Sequence, residues 1–215
     1  MTSAPVWLFD LDNTLHNASP HIFPHINRSM TAYLERHLAL SADEANALRT
    51  RYWHQYGATL LGLMRHHATD PHHFLHETHN FDRLHEMMVF DRALKGMLKK
   101  LPGRKIVFSN APRRYAENVL GIMGIRKLFD DVVAIESLNM QPKPGMAAYR
   151  QIIRRYRLDP RRCIMVEDTA ANLRTARQLG MRTVLVGGGS RHPAYVDVKI
   201  RSILKLRRAA GSLLG

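Results

Sequence analysis

Apolar positions fall along this chain in two patterns. Short unbroken runs occur near the start and through the second half: Val6-Trp7-Leu8-Phe9, Lys105-Ile106-Val107-Phe108, Asp131-Val132-Val133-Ala134, Cys163-Ile164-Met165-Val166 and Thr183-Val184-Leu185-Val186. Runs of this length without alternation fit strands of a parallel sheet covered on both faces. Helical periodicity separates the last four. Pro112 to Met123 predicts a helix with proline near its first turn, and Pro144 to Tyr156 predicts another. Ala170 to Leu179 predicts a third, stopped by Gly180. Strands alternating with helices predict an α/β fold built on a doubly wound parallel sheet of five strands.

The gap between the first run and the second is different. It extends from residue 10 to residue 104, far more than one crossover helix requires. Residues 17–90 show no strand pattern and read as helices over 20–38, 41–56, 59–67, 70–78 and 80–88. Ser41 with Glu44 matches a capping box, and Asp70-Pro71 is a helix start with proline in the first helical position. Residues 91–100 bring the chain back as one more helix. The pattern therefore predicts a core made of residues 1–15 and 91–215, with residues 16–90 inserted as a helical cap.

Composition changes little in this picture except through charge. Lys and Arg total 32 against 18 Asp and Glu, a net charge of +14 with neutral histidine, so the surface attracts anions. Twelve of the 13 histidines lie between His16 and His85. His72, His76 and His79 have the helical spacing of a zinc site, but the segment has no cysteine and no evident further ligand. A single cysteine, Cys163, excludes an internal disulfide framework, and a cytoplasmic protein is the simplest expectation. No apolar stretch approaches the ~20 residues of a membrane span, and no signal-peptide pattern opens the chain.

Polar groups with chemical potential sit just beyond the apolar runs. Asp10-Leu11-Asp12-Asn13-Thr14 follows the first, where ligands bind in open parallel sheets. Residues two apart on an extended strand point the same way, so two carboxylates can face one site, one to attack and one to handle protons. Ser109-Asn110 follows the second run and suits a phosphate oxygen. Lys143 is held between Pro142 and Pro144. Glu167-Asp168 follows the fourth run with Asn172 beyond it, and adjacent carboxylates suit a hard cation such as Mg2+. Taken singly, each has a structural alternative: an Asx-turn, a helix N-cap, a surface-loop lysine, or carboxylates complementing a helix dipole. Taken together, they gather on one edge of one sheet.

The set Asp10-x-Asp12-x-Thr14, Ser109-Asn110, Lys143-Pro144 and Glu167-Asp168-x-x-x-Asn172 resembles the haloacid dehalogenase superfamily of phosphohydrolases, in the family's order and across the whole chain. The resemblance implies strand order 5-4-1-2-3, Asp10 as nucleophile, Asp12 as general acid and base, and Lys143 as the neutralising ammonium. It implies Mg2+ on the Asp10 carboxylate, the Asp12 carbonyl and Asp168, with Glu167 one shell out. Phosphate oxygens would meet Thr14, Ser109, Lys143 and the backbone amides near Leu11, Asp12 and Asn110. A second aspartate at position 12 separates phosphatases from dehalogenating relatives.

The cap would choose the leaving group. Tyr56-Gly57-x-Thr59-Leu60-x-Gly62-Leu63, with Asp70-Pro71 and Phe74-Leu75 after it, resembles the cap of the superfamily's pyrimidine 5'-nucleotidases. The implied substrates are UMP, CMP, dTMP and analogues. His16, Asn17, Tyr52, Tyr56 and Thr59 are the candidates for base or sugar contacts, although tyrosines on a helix also serve as packing residues. Another small organic phosphate, such as a sugar phosphate or phosphoglycolate, is the alternative substrate. A reading of a different class is nucleic-acid binding. It would use Arg154, Arg155, Arg157, Arg161 and Arg162, and a C-terminal basic helix carrying Lys199, Arg201, Lys205, Arg207 and Arg208. No binding motif accompanies these residues, so no specific nucleic acid is expected as a partner. The apolar residues Ile203, Leu204 and Leu206 of that helix are expected to pack on the core or a partner chain.

Overall fold

A computed structural model describes residues 4–189 and 192–214. The chain divides into two compact units, one formed by residues up to Asn17 and from Val89 onward, the other by Ala18–Met88. The insertion is thus two residues shorter at each end than the sequence pattern drew it. The reason is local: Asp12 bridges to His16 and Asn17 bridges to Val89, which ties these residues to the sheet-bearing unit.

The insertion contains α1 (Ile22–Leu38), α2 (Ala42–Tyr56), α3 (Thr59–His67), α4 (Pro71–Thr78) and α5 (Leu84–Met87). The capping box at α2 is complete: Glu44 N–H donates to Ser41 Oγ at 3.4 Å, and Ser41 N–H donates to Glu44 Oε2 at 2.9 Å. Asp70 accepts from His72 N–H at 2.9 Å, with Pro71 leading α4. α2 ends at Gly57, whose φ of +80° lets its N–H reach back to the Trp53 carbonyl. Gly62 lies where α3 crosses α2, and a Cβ there would sit 2.2 Å from Tyr52 Cγ.

The other unit holds α6 (Leu94–Lys99), β2 (Arg104–Phe108), α7 (Arg113–Ile122), β3 (Asp131–Val133), α8 (Met146–Tyr156), β4 (Cys163–Glu167), α9 (Ala170–Gln178), β5 (Arg182–Val186), β6 (Val198–Ile200) and α10 (Leu206–Leu214), preceded by β1 (Val6–Phe9). All strands are parallel, in the order β3-β2-β1-β4-β5-β6. The implied order 5-4-1-2-3 holds for the first five, and the sheet has six strands rather than five. The sixth, Val198-Lys199-Ile200, is too short and too mixed to register as an apolar run. Asp197 sets it beside β5: its carboxylate accepts from Thr183 N–H at 2.8 Å, and its own N–H donates to Thr183 Oγ1 at 2.9 Å. Lys199 and Arg201 therefore lie outside the C-terminal helix, which begins only at Leu206. Leu206, Ala210 and Leu213 are buried along α10, and Arg207 and Arg208 are exposed.

β1 is central and buried, and its side chains alternate between faces. Leu8 joins Ile106, Phe108, Met165, Tyr149 and Leu173 in a core beneath α8 and α9, while Trp7 and Phe9 project to the opposite face. α8 starts at Met146 rather than Pro144, because Gly145 N–H closes a turn onto the Pro142 carbonyl at 2.9 Å. Among the described residues no helix is long and apolar enough to cross a membrane.

The Gly62 contact yields a prediction. Gly62→Ala forces Tyr52 to shift and should destabilise the insertion by about 1–3 kcal/mol. Amide hydrogen exchange should speed up across α2 and α3 and leave β1 and β4 unchanged.

Candidate active site

Each group picked from the sequence at a strand end arrives at the same edge of the sheet. β1, β2 and β4 are adjacent and parallel, so Asp10, Ser109 and Glu167 emerge side by side. The backbone continues the ladder at that edge: Asp10 N–H donates to the Val166 carbonyl at 2.9 Å, and Ser109 N–H to the Val133 carbonyl at 2.9 Å.

The centre is a buried ion triad. Lys143 Nζ lies 2.7 Å from Asp10 Oδ1 and 2.7 Å from Glu167 Oε2. Lys143 is 2% exposed, Glu167 1% and Asp10 7%. Asn172 Nδ2 donates to the same Glu167 oxygen at 2.9 Å, and the amides of Asp168 and Thr169 approach the other at 3.2 Å. Glu167 therefore fixes Lys143 against Asp10. The loop that carries Lys143 is locked by Asn110, whose side-chain amide donates to the Lys143 carbonyl at 2.9 Å and accepts from its N–H at 2.7 Å. Thr175 Oγ1 adds a bond to the Pro144 carbonyl at 2.7 Å. The Asn110 side chain is thus a support for the lysine loop, while Ser109 Oγ accepts from Ala111 N–H at 3.0 Å.

The turn after β1 shapes the rest. Asn13 adopts φ +59°, a left-handed conformation that asparagine tolerates. The Leu11 carbonyl accepts from Leu15 N–H at 2.9 Å, and the chain folds back so that Thr14 Oγ1 reaches Asp10 Oδ2 at 3.2 Å. Asp12 is half-buried, with Oδ1 2.9 Å from His16 Nε2 and 2.5 Å from the Tyr115 hydroxyl. His16, expected to touch a substrate, is buried against Asp12 in this unit. Tyr115 was not among the residues singled out from the sequence.

Electrostatics follow from burial. Asp10 is pushed up to about 7 by burial and by the Glu167 charge, against the pull of Lys143. Burial also raises Glu167 and Asp168 above the usual carboxylate range. Burial alone would favour neutral lysine, but the flanking carboxylates outweigh it and hold the Lys143 ammonium above its ordinary value. Three carboxylates surround one ammonium, and ligand oxygens of Asp10, Glu167 and Asp168 lie within 4.8 Å of one another. This all-oxygen, excess-negative donor set fits a hard divalent cation such as Mg2+. Among the described residues it is the one such group, so His72, His76 and His79 are not gathered as a metal set.

The candidates on the insertion are engaged within it. The Tyr52 hydroxyl pairs with His67 Nε2 at 2.9 Å, and the Tyr56 hydroxyl with His66 Nε2 at 2.6 Å. Thr59 Oγ1 donates to the Arg49 carbonyl at 3.0 Å and is buried. Asn17 is exposed, with its N–H on the Val89 carbonyl at 2.8 Å.

The model of the haloacid dehalogenase-like hydrolases matches residues 6–180, which include all the strand-end groups above. The chain belongs to that family of hydrolases. Among curated relatives it is 24% identical to "Phosphate metabolism protein 8" of Saccharomyces cerevisiae over 84% of this chain and 60% of that protein. It is 34% identical to the chloroplastic 5-amino-6-(5-phospho-D-ribitylamino)uracil phosphatase of Arabidopsis thaliana over 46% of this chain and 25% of that protein. The chain thus spans less than two-thirds of the length of either relative. It shares its fold with a HAD phosphatase from Thermococcus onnurineus, at TM-score 0.69 and 21% identity over 96% of this chain and 98% of that one. It also shares it with the L-2-haloacid dehalogenase of Xanthobacter autotrophicus, at TM-score 0.62 and 13% identity over 97% and 99%.

The ion triad sets a test of stability. Lys143→Met leaves Asp10 and Glu167 buried without their counter-ion and should cost roughly 3–5 kcal/mol near neutral pH. Raised carboxylate pKa values mean that the folded state binds protons the unfolded state has released, so stability falls as pH rises from about 4 to 7. Denaturant titration in chelator should therefore show a larger deficit for the variant at pH 7.5 than at pH 5.

Proposed function

We propose that the protein is a Mg2+-dependent phosphomonoester hydrolase acting through an aspartyl-phosphate on Asp10, with pyrimidine nucleoside 5'-monophosphates as its substrates. The observation that carries the chemistry is Asp10 held 2.7 Å from a buried lysine, with a second aspartate two residues on. An Asp10 oxygen bonds to phosphorus as the ester P–O bond breaks, and Asp12 gives its proton to the departing oxygen. Asp12 then takes a proton from water as the water oxygen bonds to phosphorus and the Asp10–phosphorus bond breaks. Inorganic phosphate leaves, Asp10 is restored and Asp12 is protonated again.

Phosphoryl transfer gains most from positioning and charge neutralisation. Lys143 supplies one positive charge against both the nucleophile and the phosphate. Mg2+, held by Asp10, Asp168 and the Asp12 carbonyl with Glu167 behind, would supply the rest. Thr14, Ser109 and the amides at Leu11, Asp12 and Asn110 are the proposed phosphate contacts.

The core recognises only phosphate, so the leaving group is read elsewhere, and the insertion that follows Asn17 is the proposed cap. Its Tyr56-Gly57-x-Thr59-Leu60-x-Gly62-Leu63 stretch supports the pyrimidine reading, as does a relative whose name describes a uracil bearing a phosphorylated ribityl chain. Tyr52, Tyr56, Thr59 and Asn17 remain the proposed contacts to base or sugar.

Phosphate release from UMP, CMP, dTMP, AMP, GMP, phosphoglycolate and a hexose phosphate tests this reading. Release should require Mg2+, favour the pyrimidine nucleotides, and drop at least about 10³-fold in Asp10→Asn. Preference for another phosphate would keep the core chemistry and discard the pyrimidine reading. No release by the folded protein would discard both, and would bring the basic surface forward as a nucleic-acid contact.

A further inference from the structure

Asp12 stands outside the lysine triad, and two side chains from different parts of the chain converge on a single one of its oxygens. The Tyr115 hydroxyl donates to Asp12 Oδ1 at 2.5 Å across 103 positions of sequence, and His16 Nε2 lies 2.9 Å from the same atom. A neutral imidazole with its proton on Nδ1 would set two lone pairs against each other, so the hydrogen bond requires the Nε2–H form. His16 Nδ1 is buried and has no hydrogen-bond partner among the described residues. A buried polar atom left unsatisfied is costly, whereas a tyrosine hydroxyl donating to a carboxylate inside the fold is a short, strong bond that fixes the acceptor. Both features are accounted for if the orientation of Asp12 matters.

The scaffold behind Tyr115 is stiff. Its ring is 2% exposed, in the first turn of α7. That turn is tied to the end of β3: Arg113 N–H donates to the Glu136 carboxylate at 3.0 Å, and the Arg113 guanidinium bonds to the Val132 carbonyl. The side chain of His16 is fully buried, while that of Asp12 keeps 16% of its surface open.

We propose that Tyr115 and His16 are positioning residues for proton transfer. They hold Asp12 by Oδ1 and so present Oδ2 as the oxygen that delivers the proton to the leaving group. The inference rests on the phosphatase reading above. In the transfer, the Oδ2–H bond breaks as the alkoxide oxygen, released from phosphorus, gains the proton. Neither Tyr115 nor His16 gains or loses one. A carboxyl free to rotate about its last bond would instead divide its time between productive and unproductive orientations.

Leaving-group dependence separates this role from a structural one. A departing alkoxide or sugar oxygen needs the proton, whereas 4-nitrophenolate leaves well without it. The value of kcat/KM reports the steps up to the first phosphoryl transfer, so it isolates the acid role of Asp12 from its later role as base. The experiment measures kcat/KM with Mg2+ for wild type, Tyr115→Phe and His16→Leu on UMP, phenyl phosphate and 4-nitrophenyl phosphate. Folding is monitored by thermal melting. Tyr115→Phe should lose about 10- to 100-fold on UMP but less than about 3-fold on 4-nitrophenyl phosphate, with phenyl phosphate between. His16→Leu should show the same order with a smaller span. Adding Tyr115→Phe to Asp12→Asn should cost nothing further on UMP, because the hydroxyl acts only through the carboxyl.

Equal losses on all three substrates, or no loss, in both single variants would overturn the proposal. If one variant does not fold, the other decides by the same criterion. A wild-type enzyme that hydrolyses none of the substrates would overturn the phosphatase reading and this inference with it. A wild type active on all three with parallel variant losses would overturn the inference alone.

Discussion

A lysine ammonium sealed between two carboxylates sets the terms for everything around it. Neither Asp10 nor Glu167 is tolerable as a bare charge at that depth, and neither is Lys143. The two 2.7 Å contacts of the lysine are the condition on which the end of β1, the end of β4 and the Pro142–Gly145 turn coexist. Removing the lysine would strand both carboxylates, so the triad is a structural joint as well as the proposed reactive centre. The supports point the same way: Asn172 and the amides after Glu167 fix one carboxylate, Asn110 and Thr175 fix the lysine loop, and Thr14 holds the far oxygen of Asp10.

The sheet explains why these groups meet. In a parallel sheet every strand ends at the same edge, and central strands carry little but apolar side chains until that edge is reached. The first polar residue after each central strand is therefore delivered to one place. Asp10 after β1, Ser109 after β2 and Glu167 at the end of β4 obey that rule. The surplus of negative charge that results is what the buried lysine offsets in part and what a divalent cation is suited to balance.

That logic made the core of the site readable from sequence, since an apolar run followed by a carboxylate or hydroxyl is visible without coordinates. The insertion was readable for a separate reason: Ser41 with Glu44 and Asp70 with Pro71 announce helix starts locally. Other features left no such mark. β6 has three residues with a lysine in the middle, and it exists because Asp197 ties it to Thr183. Tyr115 looks like any buried aromatic on an amphipathic helix; its hydroxyl finds Asp12 only after the chain folds. His16 was picked for its place beside the first motif, yet its partner is Asp12. The Asn110 amide is a proposed phosphate contact, and its side chain braces Lys143 in addition. Contacts between residues close in space and distant in sequence carry no local pattern, and these positions depend on such contacts.

The central claim is that Asp10 becomes covalently phosphorylated. Acid quenching during steady turnover of UMP with Mg2+, followed by peptide mapping at low pH, tests it directly. One phosphoryl group is predicted on the peptide containing Asp10, labile at alkaline pH as an acyl phosphate is, and absent in Asp10→Asn. Turnover with no phosphorylated peptide under any quench condition, or a phosphoryl group on Ser109 or another residue, would contradict it.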